Sequence, residues 1–500
     1  MSDFVADLLE VQERERPEKV AYREAGREVT FGVLATSVWQ IGARIAARVQ
    51  RGSCVAICLP KGIDCLMLMF GVLACGRAYV LMDPEMPVHR LQKIARTVSP
   101  ALLLTDAAHQ GLAQDLSDAP VVCREAWEEA APVDDAAGIC RAERTAGASS
   151  DLAYVMFTSG STGVPKGVMV SQAALCRYAQ RTAAWFGIRP TSVLANQTPF
   201  FYALSLQDVF APLAAGCTTC LLSQRDFLFP LPLLAQLAAW GVDRVFWVPS
   251  AFAWLVRSGA LEAAEVLPPL VFLSFCGEVM PQPVLRALHA AWPRAELVNL
   301  YGSTEMGFTF AYRAEDKDFA QEAALPLGQP LSSMEVVSPA VSEEGELVLL
   351  AEPLLGSGYL GRPEETAERF PLCADGRAAY RTGDIVQRTE AGCRFVCRSS
   401  MLVKHQGYRI ELGEIDAALC AQPGIAEAAC VFDATRDELI GCYVPADGAV
   451  DVRALLHGLR QEIPSYMVPA RLFALPSLPL NANGKLDRPA LLQRVMNGGI

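Results

Sequence analysis

The sequence predicts an α/β protein, with a large N-terminal domain whose β-sheets are flanked by helices in several layers and a small, mobile α+β domain at the C-terminus. Three observations carry that expectation. The chain has 500 residues, too many for one ordinary core. Short apolar runs such as VAICL, AYVLM, ALLLTD, AYVMF, RVFWVP and LVFLSFCG alternate with helix-like stretches as far as about Arg398. Beyond that point two strand-like runs, AACVF and LIGCYV, a helix around ALLHGLRQEI and a Pro-punctuated tail suffice for a small domain of about a hundred residues. The expected division is 1–399 and 400–500.

Taken in order, the start, MSDFVADLLEVQERERPEKVAYR, mixes both charge signs and holds no apolar core segment, so it reads as neither signal nor transit peptide and a cytoplasmic location is expected. The most apolar run, 65–82, is interrupted by Gly71, Gly76 and Arg77 and is short for a membrane span, which predicts a buried helix followed by a buried strand. Residues 134–150, rich in Ala, Asp, Glu and Gly, read as a surface loop.

Composition removes several function classes. With 52% hydrophobic and 20% charged residues the chain can fill a sizeable core. The 43 basic residues are outnumbered by 55 acidic ones and form no long run, so nucleic acid is not an expected partner, and no membrane partner is expected either. Sixteen cysteines without a secretory signal read as reduced thiols. Cys217 and Cys220 form a CxxC, but in GCTTCLL, a strand-like context rather than a redox turn. The five histidines are scattered, with no HExxH and no ligand spacing for zinc.

The segment YVMFTSGSTGVPKGVMV (154–170) runs from an apolar strand into a loop of Thr, Ser and Gly and then Lys166. Hydroxyls and unhindered N–H groups in such a loop can wrap phosphate oxygens, Gly permits close approach and Lys adds charge. It is not a Walker loop, because the GxxxxGK[ST] spacing is absent. Four more segments follow: NLYGSTEM (299–306), YRTGDIV (380–386), GYRIELGEID (407–416) and NANGKLDR (481–488). Together the five resemble, in order, the motifs of the superfamily that contains acyl-CoA synthetases, nonribosomal peptide adenylation domains and firefly luciferase. The resemblance covers essentially the whole chain.

That resemblance implies a chemistry with a simple physical demand. A carboxylic acid of pKa about 4 is already ionised at neutral pH, so its activation by ATP needs charge control rather than a base. Two anions must meet in line at the α-phosphate, which calls for Mg²⁺, a mobile lysine and donors aimed at the phosphates. By the resemblance, Thr158, Ser159, Gly160, Ser161, Thr162, Gly163 and Lys166 hold the pyrophosphate half of ATP. Thr304 contacts the α-phosphate, Glu305 ligates Mg²⁺, Tyr301 lies against the adenine, and Gly302 and Ser303 join the nucleotide-binding residues. Asp384 accepts the ribose hydroxyls, as an acceptor-only group can, and Arg398 reaches the ribose from just before the hinge. Lys485 bridges substrate carboxylate and adenylate, and its place on the small domain implies that domain closure assembles the site and another pose admits the thiol. At the hinge, Ser399 and Ser400 stand where the family usually has Asp or Lys.

The small-domain motifs resemble peptide-synthetase adenylation domains more than acyl-CoA synthetases, which implies a carrier-protein phosphopantetheine thiol as acceptor and a role in natural-product biosynthesis. No carrier domain fits in the chain, so a separate carrier is expected. The substrate stretch FFYALSLQD (200–208) departs from the family's FDxSxxE, placing Ala203 where an Asp binds an α-ammonium. An α-amino acid is therefore disfavoured. The expected pocket lining is Tyr202, Ala203, Leu204, Gln207, Asp208, Trp247, Ser274, Cys276, Gly277, Leu300 and Phe308. Two substrates remain open: a hydrophobic or aromatic β-amino acid whose amine meets Asp208, which is preferred, or an aryl, hydroxy or fatty acid without an amine.

Overall fold

A computed structural model of the chain describes residues 3–159, 165–331, 334–351, 355–373, 375–390, 392–398, 402–446, 448, 450–479 and 486–496. Among these, the apolar runs become the central strands of two large sheets. One has seven strands, in the order Gly356–Tyr359, Lys166–Ser171, Leu152–Thr158, Ala78–Leu81, Cys54–Ile57, Leu102–Thr105 and Val121–Cys123. Its last five strands run parallel, as helical crossovers require, while Lys166–Ser171 turns back antiparallel on Leu152–Thr158. The nine-stranded sheet places Glu296–Ser303 beside Phe272–Phe275, with Arg244–Trp247 next in line.

Helices fill the space between these sheets. Phe70 on the helix Ile63–Ala74 touches Phe210 on Leu206–Ala215 at 5.8 Å and Tyr22 on the strand Val20–Glu24 at 5.9 Å, so one aromatic contact chain ties helices to sheet. The apolar run 65–82 is, as its sequence predicts, the buried helix Ile63–Ala74 followed by the buried strand Ala78–Leu81. No helix of the described residues is long and apolar enough to cross a membrane.

The expected loop at 134–150 is instead mostly the helix Ala136–Thr145. Asp135 caps it by accepting from the Gly138 N–H, and Arg144, only 2% exposed, reaches Ala74 O, Asp7 and Glu10. Composition concealed this, because the partners that bury Arg144 lie far away in sequence. Cys217 and Cys220 lie at and within the buried strand Thr218–Leu221, where burial pushes the Cys220 thiol up to about 12.

A four-stranded antiparallel sheet, Met334–Ser338, Glu344–Ala351, Ala379–Thr389 and Gly392–Arg398, completes the large domain. The small domain begins its described part with the hairpin Leu402–His405 and Tyr408–Glu411, followed by the helix Leu412–Cys420. Its three-stranded sheet, Ile425–Asp433, Glu438–Pro445 and Arg471–Ala474, is covered by the helices Val452–Glu462 and Arg488–Met496.

Candidate active site between the two domains

The Ser/Gly loop joins two antiparallel strands in which Thr158 pairs with Lys166. Gly160, Ser161, Thr162 and Gly163 lie outside the described residues. Ser159, 5% exposed, donates its hydroxyl to the Arg409 carbonyl at 2.7 Å and accepts from the Glu411 N–H at 3.1 Å. Lys166 leaves the strand toward the Glu365 carboxylate, 2.7 Å away, and also stands over the Tyr359 ring. Burial works against the charge on Glu365, but Lys166 and Arg362 outweigh it and hold the carboxyl below its usual range.

The motif YGSTEMG forms a hairpin from Glu296–Ser303 into Gly307–Arg313, with Thr304, Glu305 and Met306 as its turn. Gly307 has φ of +67°, and a Cβ there would come within 2.3 Å of the Tyr178 ring, so only glycine fits. Glu305 is fully buried. Tyr359 Oη donates to its Oε1 at 2.8 Å, and Arg409 Nη1 reaches both oxygens, at 3.0 and 2.8 Å. Desolvation opposes ionisation of Glu305, yet Arg409, Tyr359 and the backbone keep its carboxyl below the ordinary range.

Asp384, 1% exposed, accepts a hydrogen bond from Tyr301 Oη and lies opposite Arg398 in the neighbouring strand. Lys404 stands 5.4 Å over the Tyr301 ring. The side chain of Arg398 and the whole of Lys485, Ser399 and Ser400 fall outside the described residues.

The expected pocket lining separates into groups. Tyr202, Ala203, Leu204, Cys276, Gly277 and Phe308 line one cavity of about 40 Å³ together with Gly302, Ser303 and Thr304. Gln207, Asp208 and Ser274 line a second, of about 10 Å³, with Phe186, Phe246 and Phe272. Phe308 packs edge-on against Phe246 at 4.8 Å, beside the second cavity. Leu300 and Tyr301 face a wider cavity of about 690 Å³ that Lys404, Arg436 and Asp437 close from the small domain. Trp247 lines none of these: its indole N–H donates to Ala195 O and its ring packs on Phe227 and Phe252.

Asp208 is 1% exposed; Asn196 donates to one of its oxygens at 3.2 Å and the other has no partner among the described residues. Burial pushes its carboxyl up to about 8, against Asn196 and Lys61. Gln207 Oε1 is likewise buried without a partner.

Two family models match this chain: AMP-binding enzyme over residues 9–360, and AMP-binding enzyme C-terminal domain over 414–485. The chain belongs to the AMP-binding enzymes. It is similar to nonribosomal peptide adenylation domains and to acyl-CoA and carrier-protein ligases. An L-proline--[L-prolyl-carrier protein] ligase from Pseudomonas fluorescens is 30% identical, with 96% of this chain and 97% of that one covered. Tyrocidine synthase 3 of Brevibacillus parabrevis is 31% identical and enterobactin synthase component F of Escherichia coli 33%; the chain spans only 8% and 35% of their lengths, and 97% and 89% of its own. Among solved structures, the o-succinylbenzoate CoA synthetase of Bacillus subtilis superposes with a TM-score of 0.84 at 22% identity, covering 97% of this chain and 98% of that one. The adenylation and carrier domain protein PA1221 gives 0.82 at 25%, covering 98% and 84%.

For this AMP-binding enzyme, motif reading singled out Glu305, Ser159 and Asp384 but not Tyr359, Glu365 or Arg409, which the structure sets against Glu305 and Lys166. Arg409 stands inside a motif the sequence offers, and its charge was the available signal. Tyr359 and Glu365 carry no such signal, since only the tertiary fold brings them to Glu305 and Lys166.

Proposed function

We propose that this enzyme converts a small carboxylic acid with a β-amino group to its acyl-adenylate, using ATP and Mg²⁺, and passes the acyl group to the phosphopantetheine thiol of a carrier protein. The observation that supports the amine is the pair of buried acceptors, Asp208 Oδ1 and Gln207 Oε1, that lack donors while Ala203 stands where an α-ammonium anchor belongs. An ammonium beside them would fill that need. The mostly apolar lining of the cavity around Ala203, Leu204 and Phe308 suits a hydrophobic or aromatic side chain.

Glu305 suits Mg²⁺: its carboxylate is buried, kept ionised and offers hard oxygen donors. Mg²⁺ held there supplies charge neutralisation for the phosphates. Thr158, Ser159, Gly160, Ser161, Thr162, Gly163 and Lys166 take the pyrophosphate half, Thr304 the α-phosphate, Tyr301, Gly302 and Ser303 the nucleotide, and Asp384 with Arg398 the ribose. Lys485, on the domain we divide from the rest at 399/400, neutralises the meeting of carboxylate and phosphate.

A second reading, an aryl, hydroxy or fatty acid passed to a carrier or to CoA, draws on Asp208 itself, whose carboxyl at about 8 is neutral at pH 7 and needs no cation. Acid-dependent ATP–pyrophosphate exchange across α-amino, β-amino, aryl and fatty acids separates the two. Exchange that is strongest with hydrophobic or aromatic β-amino acids is the expected result, and exchange only with acids lacking an amine would refute it.

A further inference from the structure

Lys61 belongs to none of the five motifs. It follows Pro60 between the strand Cys54–Ile57, part of the seven-stranded sheet, and the helix Ile63–Ala74. Its Nζ nevertheless donates to two carbonyls at the edge of the other large sheet, Asn196 O and Gln197 O, at 3.0 Å each, and stands 5.8 Å over the Phe200 ring. All three contacts fall on the segment that leaves the strand Val193–Asn196 and carries the substrate stretch. Beyond the lysine this segment is closed on itself. Ser205 Oγ donates toward Phe200 O and Tyr202 O, at 3.3 and 2.8 Å, and Asn196 Nδ2 donates to Asp208 Oδ2 at 3.2 Å. The residues that follow line the two small cavities, Tyr202, Ala203 and Leu204 the one, Gln207 and Asp208 the other.

We infer that Lys61 is a positioning residue for the acid: it clasps the chain at Asn196 and Gln197 and so sets where Tyr202, Ala203 and Leu204, and through Asn196 also Asp208, meet the substrate. This rests on the adenylation reading and deepens it, naming a specificity-determining group that stands outside both cavities. The physical reason lies at the strand end. Carbonyls there leave the sheet's ladder, and a buried one needs a donor from elsewhere. Asn196 O also accepts from the Leu222 N–H, whereas the Gln197 carbonyl, one residue past the strand, takes its hydrogen bond from Lys61. An ammonium has three N–H donors and even a neutral amine keeps two, the number these carbonyls take up, so the clasp survives the burial that draws Lys61 to about 7. Ser159, Glu305 and Asp384, the residues assigned to the nucleotide, lie on other segments, so loss of the clasp falls on the acid and spares ATP.

ATP–pyrophosphate exchange by the full chain tests this with 3-amino-3-phenylpropanoate as the probe. Where only acids lacking an amine react, which refutes the amine but not the clasp, 3-phenylpropanoate takes its place. Lys61→Met keeps the length of the side chain and removes its donors. It should raise KM for the acid about tenfold, the effect of losing roughly one hydrogen bond to a charged group, while KM for ATP and kcat stay within about twofold. A merely structural role would instead lower kcat with the amount of folded enzyme and leave both KM values alone. An unchanged acid KM, or equal rises for acid and ATP, would overturn the inference. Should Lys61→Met fold poorly, the unsubstituted protein decides: in protein labelled with carbon-13 at the lysine ε-carbons, the Lys61 resonance, identified by its absence from Lys61→Arg, should move when the acid is added and stay when ATP alone is added. A resonance that does not respond to the acid would equally overturn the inference. Unsubstituted protein that exchanges with neither acid would overturn it together with the adenylation reading, whereas exchange whose acid KM is untouched by Lys61→Met would overturn it alone.

Discussion

Arg90 and Glu414 form an ion pair buried on both sides, 6% and 4% exposed, that joins the large domain to the small one. It lies beside the half-exposed pair Lys93 and Glu462, 3.5 Å apart, which adds little on its own.

Removing one member of a buried pair leaves a charge without its partner, which costs about 3–5 kcal/mol where the site cannot open. Here it can open, because the partners belong to different domains. Arg90→Ala should therefore loosen the domain contact rather than unfold either domain. Hydrogen exchange at 407–416 should rise severalfold while exchange in the strand Leu152–Thr158 stays unchanged, and equal rises in both would contradict this.

Gly407 has φ of +81°, and a Cβ there would lie 2.4 Å from Val248 Cγ1. Its N–H also donates to Glu278 and its carbonyl accepts from Tyr202 Oη, so the backbone cannot withdraw without losing both. Gly407→Ala should disfavour this pose of the small domain and slow acyl transfer from preformed adenylate. Val248→Ala should restore part of the loss, since the clash disappears but a backbone cost of about 1–2 kcal/mol remains. Stopped-time transfer from preformed adenylate measures both.

Asp208 links substrate choice to pH. Its folded carboxyl is raised to about 8 from an unfolded value of about 4, so the folded state binds the extra proton between those values. Its contribution to stability is then lost as pH rises from about 4 to 8, with a slope approaching 1.4 kcal/mol per pH unit. Lys61 shifts the other way, since desolvation draws it to about 7, and regains stability as pH rises above that value. Urea denaturation of Asp208→Asn should thus show a stability advantage over the unsubstituted protein that grows between pH 5 and pH 8. In exchange assays Asp208→Ala should abolish use of β-amino acids, and unaltered kinetics would remove its role as anchor.

Phe308 meets Tyr178, Phe186 and Phe246, at 6.1, 5.8 and 4.8 Å. Truncating it joins space to the cavity lined by Ala203 and Leu204, so Phe308→Ala should accept longer or bulkier side chains. Emptying that volume costs about 3–5 kcal/mol of stability. Exchange rates across a series of lengthening side chains, alongside a melting curve, report both effects.

Much of this was legible in the sequence because it depends on short-range pattern. Apolar runs marked the strands, the interruptions by Gly71, Gly76 and Arg77 separated a buried helix and strand from a membrane span, and the motifs singled out Ser159, Glu305 and Asp384, which lie just past a strand end, in a turn and within a strand. What the fold alone decided involves pairs distant along the chain. Arg409 reaches Glu305 across 104 positions, and Lys166 reaches Glu365. Tyr359 donates to Glu305, Phe308 closes on Phe246, and Asp208 faces a cavity apart from the one around Ala203. Local preference dictates which residues sit on a strand or in a turn, but which charges are desolvated together is settled only when the sheets and the small domain are packed against one another.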